Sequence, residues 1–343
     1  MSLSITFPAS IDSTMLSTFD SCPQKFLMEF VLRRVPIGRS IHLHAGGCMA
    51  SAFETIRHNF YANKLPLEEC FAIAFKAFTI QWGDMETPQG EYKDFTNCWA
   101  AVEAYFAEYP PDTDYFQPLI KNDGSPAVEF KFAIPMNIKH PDTGDPILYS
   151  GRADMLVAPN DNLNHIYVMD EKTTKAMGAK WGEQWDMRGQ FYGYTFAARK
   201  MGYNCVGALV RGIAIQQTQF QFAEKPLFFS QDQLDTWWRE AHKKTMRAIE
   251  MYERAKQLYD PDSAASYPRL HDSFEKSFAD ACGSYGGCIF TELCTHPAPW
   301  KLYNSYEERI WDPLADDPTA KSQNTRGEMQ EISWQDFMGT TRG

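Results

Sequence analysis

The stretch HIYVMDEKTTK, residues 165–175, runs from strand-forming residues directly into two acids and a lysine. Residues 166–169 have the β-branched, aromatic and apolar character of a buried strand. Asp170, Glu171 and Lys172 follow without a break, although charged residues are depleted in strands and costly where both faces are buried. We therefore predict that this strand carries its charges to a functional site.

The composition limits what the protein can be. A chain of 343 residues, 44% of them hydrophobic, is long enough to bury a large core. It has no apolar run near the roughly 18 residues of a membrane span, and its N-terminus lacks the features of a secretory signal. Eight cysteines without such a signal indicate reduced thiols or metal ligands and a cytoplasmic location. The net charge of −11 means that a nucleic-acid site would need a local basic groove.

Hydrophobic periodicity divides the chain into a helical part and a mixed part. Period-two stretches and turn-rich connections predict strands at 127–138, 146–158, 165–174, 205–215 and 218–229. Helical periodicity predicts helices at 14–34, 46–62, 67–81, 93–108, 183–201 and 231–258. We therefore predict a helical N-terminal region, an α/β core, a cysteine-bearing C-terminal segment that packs back on the N-terminus, and a polar tail, at 1–120, 121–260, 261–312 and 313–343.

The loop PNDNLN suggests how two of the strands pair. If the strands on either side of it form a hairpin, the numbers of facing residues sum to about 324. Asp154 then lies opposite Asp170, with Cβ atoms roughly 4.5–5.5 Å apart. Side-chain alternation places Lys172 on the same face and turns Glu171 to the other one.

Two carboxylates at that separation repel each other unless a cation lies between them. Mg²⁺ or Mn²⁺ would bind Asp154 and Asp170, and the main-chain carbonyl of Glu171 could add a further oxygen ligand. Lys172 would supply a positive charge that positions a water molecule or holds a phosphate oxygen. The alternative is a surface cluster of salt bridges.

The motifs resemble those of a known superfamily. The segments GRAD at 151–154 and MDEKTT at 169–174 resemble the G-x-x-D … D-x-K signature of PD-(D/E)XK nucleases. Gln190 and Tyr194, in QFYGY, resemble the Q-x-x-x-Y motif of the RecB-like branch, and their spacing places both on one helical face. The resemblance implies a restriction-endonuclease-like α/β core, with a mixed sheet of about five strands flanked by helices. It also implies that both residues orient the DNA strand, whereas the alternative is a polar helix edge.

Four cysteines extend this resemblance. Cys22, in a CPxxF context, and Cys282, Cys288 and Cys294 downstream resemble the iron–sulfur staple of RecB-like nucleases, including the AddB type and CRISPR-associated adaptation nucleases. The resemblance implies a [4Fe–4S] cluster that joins the two ends of the chain. The first downstream gap is wider than the family pattern, so zinc or no metal remain alternatives. The other cysteines are interpreted as core residues, at Cys48, Cys70, Cys98 and Cys205.

The sequence departs from the family at another helix motif. Members often carry G-x-x-x-H-x-x-L-E, whose histidine helps to bind the metal. Here the segment GGCMASAFE places Ala50 or Ser51 at the histidine position and keeps Glu54 as the terminal acid. Glu54 is therefore a candidate metal ligand, with a solvated helix acid as the alternative, and His44 is a candidate replacement for the histidine.

Local basic residues predict the contacts with DNA. Arg33 and Arg34 lie in a stretch without acids, and Lys175 follows the strand of the site. The alternative is a basic rim without a ligand. No Walker A motif occurs, so an ATP-driven function would need a helicase or recombination partner in trans.

Together these features predict a DNA exonuclease of the RecB-like PD-(D/E)XK family that depends on Mg²⁺ or Mn²⁺. It would act on single strands or DNA ends during repair or recombination. The alternative from another class is a non-catalytic, iron–sulfur-stapled DNA-binding module or partner subunit, which the missing histidine favours.

Overall fold

A computed structural model describes residues 3–38, 40–121, 123–217, 219–278, 280–283 and 287–315. Most of the tail predicted at 313–343 lies outside these ranges. The strands within them are β1 (Ser10–Ile11), β2 (Arg34–Pro36), β3 (Phe116–Pro118), β4 (Val128–Lys139), β5 (Pro146–Pro159), β6 (Ile166–Thr174), β7 (Cys205–Ile215), β8 (Phe220–Phe228) and β9 (Tyr306–Glu308).

Seven of these strands form one mixed sheet. Its main order is β4–β5–β6–β7–β8, and the short strands β1 and β3 also pair with β5. The β1–β5 and β6–β7 pairs are parallel and the others antiparallel. The predicted mixed sheet flanked by helices is therefore confirmed. β1 and β3 were not predicted, because two or three residues are too few to show a periodicity.

The helices lie on both faces of the sheet. They are α1 (Ser13–Ser21), α2 (Pro23–Phe26), α3 (Ile41–Arg57), α4 (Leu67–Trp82), α5 (Phe95–Glu108), α6 (Gly189–Lys200), α7 (Gln231–Leu258), α8 (Tyr267–Asp272) and α9 (Thr291–Thr295). Helices α3, α4 and α5 share an apolar cluster with the end of β7, whereas α1, α6 and α7 pack on the opposite face. None of the helices in the described ranges is both long and apolar enough to cross a membrane.

Two helix predictions need correction. The helix predicted at 14–34 is interrupted after α1, where Cys22 has an extended backbone and Pro23 begins α2. Proline lacks an N–H and clashes with the preceding turn, so it starts a helix far more readily than it continues one. The helix predicted at 183–201 begins only at Gly189, because Arg188 is extended, and a single 3₁₀ turn precedes it at Glu183–Trp185.

A glycine brings α6 against the sheet. A Cβ atom at Gly193 would lie 1.9 Å from the hydroxyl of Tyr149 on β5 and 2.8 Å from the ring of Trp237 on α7. Any side chain there would push α6 outwards. The close packing fixes the distance between the sheet and the α6 residues that face it.

The two ends of the described chain are joined by backbone pairing. β2 pairs antiparallel with β9, with Val35 opposite Glu307. The ladder continues through the N–H of Arg309, which donates to the carbonyl of Arg33 at 2.8 Å. The cysteine-bearing segment is thereby tied to the N-terminal helices.

Candidate active site

A gap in the sheet creates a cleft on the long strand β5. β6 pairs with β5 only as far as Met155, and β1 pairs on the same side only at Leu148 and Tyr149. Between them, residues 150–154 of β5 have no strand partner on that side among the residues that the structure describes. A cleft of about 540 Å³ opens there, lined by α1, α3, β5, β6, α6 and the segment that contains Trp311.

The β5–β6 hairpin has the predicted register. Met155 faces Met169 and Leu156 faces Val168, so facing numbers sum to 324. The next pair is Asp154 and Asp170, and both line the cleft. The ladder stops before them, so that the strands separate at the two carboxylates.

The side chain of Asp154 forms a hydrogen bond to β6 where the backbone ladder between β5 and β6 ends. Its Oδ2 accepts the N–H of Glu171 at 2.7 Å. In an antiparallel pair the N–H and C=O of one residue face the same neighbouring strand. The carbonyl of Glu171 therefore also points towards β5, on the side predicted for a ligand.

Three further predicted residues converge on Asp170, which is 4% exposed. The ammonium of Lys172 forms an ion pair with its carboxylate. The Nε2 of Gln190 donates to Asp170 Oδ2 at 3.0 Å and to the hydroxyl of Tyr194 at 3.1 Å. Asp154, Asp170, Lys172, Gln190 and Tyr194 thus all line one cleft.

The carboxylate of Glu171 lies beside that of Asp154, and residues from two distant helices hold it. Arg57 on α3 forms a buried ion pair with it, and the hydroxyl of Tyr105 on α5 donates to it at 2.8 Å. Burial alone would raise the pKa of Glu171, but Arg57 and these hydrogen bonds lower it to about 2. Sequence reasoning missed both partners, since a lone arginine and a lone tyrosine in helices carry no motif.

Arg57→Met is expected to cost about 3–5 kcal/mol of folding free energy at neutral pH, because it leaves the Glu171 carboxylate buried without its cation. A lowered pKa means that the pair contributes stability above the ordinary pKa of glutamate and that this contribution is lost as the pH falls towards 2. The difference between variant and wild type should therefore shrink below about pH 4. Urea unfolding at two pH values measures it.

The control for this prediction is Arg254→Met, which removes an exposed arginine from α7. It should change stability little at either pH. An equal loss for Arg57→Met at neutral and acidic pH would show that the arginine does not act by neutralising Glu171.

Negative charge is crowded around Asp154. Burial raises its pKa well above the usual range, and Asp170, Glu171 and Glu129 add to the rise. Burial also raises the pKa of Asp170, although Lys172 opposes this effect. Burial raises the pKa of Glu129, which pairs with Arg152, to about 7. A cation is the species that would relieve this repulsion.

The GGCMASAFE segment, which lacks the histidine of the motif it resembles, lies on α3. Ala50, one of the two residues that could occupy the histidine position of the motif, lines the cleft, whereas Ser51 is not part of its lining. Glu54 is exposed, and the structure does not place it among the residues that line the cleft. His44 contacts the carbonyl of Trp82 through Nε2 at 3.0 Å and packs edge-on against its ring, so it faces α4. His42, the other histidine just upstream of the motif, lines the cleft instead.

The predicted DNA-binding residues lie apart from the cleft lining. Arg33 lies 3.9 Å from Glu308 on β9, and Arg34 lies over the ring of Tyr303. Both therefore contact the C-terminal segment. Lys175 is more exposed and pairs with Glu91 at 2.9 Å, close to His42.

The four predicted cluster cysteines are neighbours in space. Cys22 lies between α1 and α2, Cys294 lies in α9, and the N–H of Cys288 donates to the carbonyl of Cys282 at 2.8 Å. Burial raises the pKa of the Cys294 thiol to about 11, and the other three cysteines add to this rise. All four are free thiols, and Cys294 lies near enough to each of the other three for their charges to affect its pKa.

In the part of the chain that the structure describes, no group of three or more His, Cys, Asp or Glu side chains is placed to hold a metal ion. The donor atoms in the cleft nevertheless differ from those of the four cysteines, and each set suits a different kind of metal. Carboxylate oxygens with a main-chain carbonyl suit Mg²⁺ or Mn²⁺. Four thiols suit an iron–sulfur cluster or zinc.

Comparisons with known proteins assign no family. No family model and no curated protein match the sequence. Among solved structures, the crystal structure of SSO0001 is 13% identical, with 74% of this chain and 85% of that chain covered. Its TM-score is 0.28, a level at which the likeness carries no information about function.

Proposed function

We propose that the protein is a metal-dependent deoxyribonuclease of the RecB-like PD-(D/E)XK type. The observation that carries this proposal is the convergence of Asp154, Asp170, Lys172, Gln190 and Tyr194 on one cleft. These residues come from two strands and a helix, and the sequence motifs predict all five as members of one site. A surface salt-bridge cluster would not need a gap in the sheet beneath it.

Each residue has a role that its position supports. Asp154 and Asp170 would hold a divalent cation, and the main-chain carbonyl of Glu171 would add a further oxygen ligand. Such a cation, when bound, supplies Lewis acidity and lowers the pKa of a bound water. Lys172 stabilises negative charge at the attacked phosphate. Gln190 donates to Asp170 and to the hydroxyl of Tyr194, one turn further along α6, and both residues orient the strand.

The cleft favours a single strand or a strand end as substrate. Its volume of about 540 Å³ lies in the range of sites for small molecules. A single strand or a strand end fits a cleft of this size, between α1, α3 and α6, more readily than a duplex does. An end-directed exonuclease is therefore the form of the activity that we propose.

A nuclease assay tests the proposal directly. The protein is incubated with Mn²⁺ and single-stranded DNA that carries a label at its 5′ or its 3′ end. Progressive shortening is expected, and the label that is released first gives the polarity. Binding of DNA without cleavage under Mg²⁺ and Mn²⁺ would refute the nuclease. It would favour the second candidate, a stapled DNA-binding module, which Ala50 in the lining of the cleft supports.

Asp154→Asn should stabilise the metal-free protein. It removes a buried negative charge from a crowded site, where the pKa of Asp154 is raised by burial and by Asp170. The raised pKa means that the wild type loses stability as the pH rises through it, so the gain should appear at neutral pH and vanish under acidic conditions. In EDTA, the melting temperature is expected to rise by roughly 2 °C or more.

Addition of Mg²⁺ should make the melting temperature of the wild type higher than that of Asp154→Asn. Saturating metal stabilises the native state by about 2.7 kcal/mol at 100 times the Kd, but only where the ligands are intact. The melting temperature of the wild type should therefore rise with Mg²⁺ and that of Asp154→Asn should not. An equal rise in both proteins would place the metal elsewhere.

We also propose that Cys22, Cys282, Cys288 and Cys294 bind a [4Fe–4S] cluster. Their proximity, although they come from opposite ends of the chain, supports this assignment. Four cysteines among apolar residues of a core would have no reason to collect at one place. Zinc is the alternative, and metal analysis separates the two.

A further inference from the structure

Lys93 is a buried lysine beside the cleft. It lies in the loop before α5, is 6% exposed, and lines the cleft together with Lys172. Its ammonium donates to the hydroxyl of Thr173 at 2.8 Å. Among the residues that the structure describes, no carboxylate forms an ion pair with it, since the nearby Glu91 pairs with Lys175 instead.

This arrangement is costly for the folded protein. Burying an ammonium group requires a compensating charge or several hydrogen bonds, and one hydroxyl is a weak partner. Burial accordingly lowers the pKa of Lys93, although Cys98 and Glu91 oppose this effect. A methionine of similar length would fill the same space without that cost. The contacts among the described residues therefore do not explain why position 93 is a lysine.

The position of Lys93 supplies a functional reason. Lys93 lies just before α5, and Thr173 lies on β6, two residues after Glu171 and therefore on the same face of the sheet. Gln190 and Tyr194 lie on α6. Both sets of residues line the same cleft. A polyanion in the cleft would meet Lys93 on one wall and the α6 residues on the other. Its negative charge would provide the counterion that the folded protein lacks.

We propose that Lys93 binds a phosphate group of the nucleic-acid strand next to the one that is cleaved. This inference rests on the proposed nuclease function and adds a binding residue from the opposite wall. The phosphate is either an internal phosphodiester or the terminal phosphate of a strand end. Both have the negative oxygens that an ammonium recognises.

The test compares Lys93→Met with a matched control, Lys76→Met, which removes an exposed lysine from α4. Binding of fluorescent single-stranded DNA is measured in Ca²⁺, with either a 5′-phosphate or a 5′-hydroxyl. Lys93→Met is expected to weaken binding about tenfold and to reduce the salt dependence by about one phosphate contact. Its melting temperature should equal or exceed that of the wild type, because the cost of the buried charge is gone.

The possible results separate the models. A loss of affinity for both DNA ends supports an internal phosphate, and a loss confined to the 5′-phosphorylated DNA supports a terminal one. Unchanged affinity in Lys93→Met would overturn the assignment of Lys93 while leaving the nuclease proposal intact. A lower melting temperature with unchanged affinity would identify Lys93 as structural. If the wild type neither binds nor cleaves DNA, both proposals fail.

Discussion

Asp154→Ala and Lys172→Ala are each expected to reduce DNA cleavage by about 10³-fold or more while the protein remains folded. Asp154→Ala removes a carboxylate from the cation site, and Lys172→Ala removes the positive charge next to Asp170. Neither side chain contributes to the apolar core. Cleavage of end-labelled DNA in Mn²⁺ and the melting temperature of each purified variant measure the two effects.

Matched controls show whether the loss is specific to the cleft. Asp84→Ala and Lys76→Ala remove an exposed acid and an exposed lysine outside it and should cleave like the wild type. Cleavage near the wild-type rate in either Asp154→Ala or Lys172→Ala would show that the active site is elsewhere. Loss of cleavage with intact DNA binding would agree with the assigned roles.

The site on the sheet could be predicted because it depends on local rules. Alternation along β6 determines which residues face α6, and the length of one loop determines the register of the hairpin. Those two rules place Asp154, Asp170 and Lys172 together. The i, i+4 spacing on α6 then places Gln190 and Tyr194 on the face that meets Asp170.

The partners from other helices could not be predicted in this way. Arg57 and Tyr105 meet Glu171 across more than 60 residues of sequence, and Lys93 meets Thr173 across 80. Such contacts depend on how helices pack on a sheet, which a single sequence does not reveal. In a sequence, a buried arginine also cannot be distinguished from an exposed one, because its ion-pair partner is not known.

The residues predicted to contact DNA also depend on packing that the sequence does not reveal. Arg33 and Arg34 form the most evident basic stretch, with a basic rim as the alternative. In the structure they contact β9 and Tyr303, because the C-terminal segment covers that part of the N-terminal region. The charge that lines the cleft instead includes Lys172, Lys93 and Arg152, which are scattered in the sequence.

Cys22→Ser and Cys288→Ser are expected to lose iron together, although 265 residues separate the two positions. Wild-type protein should contain iron in about fourfold molar amount and absorb near 400 nm if it holds one [4Fe–4S] cluster. Both variants remove a ligand from that cluster. Iron analysis after anaerobic purification and the melting temperature of each variant measure the result.

The cluster should matter for stability because of the loop it closes. Crosslinking positions so far apart removes unfolded-chain entropy worth on the order of 4–5 kcal/mol. The β2–β9 pairing and the N–H of Gln24, which donates to the carbonyl of Glu275 at 2.9 Å, also join the ends. The variants should therefore fold, but they should melt at lower temperatures than the wild type.

Cys205→Ser provides the comparison that tests this reasoning. Cys205 is buried at the start of β7, away from the other four thiols, and its thiol donates to the carbonyl of Gly207 at 3.3 Å. Its replacement should keep the iron and cost less stability, because no loop is opened. If Cys22→Ser keeps full iron while Cys288→Ser loses it, Cys22 is not a ligand and the staple is wrong. If the wild type contains stoichiometric zinc and no iron, the four thiols form a zinc site, which would close the same loop.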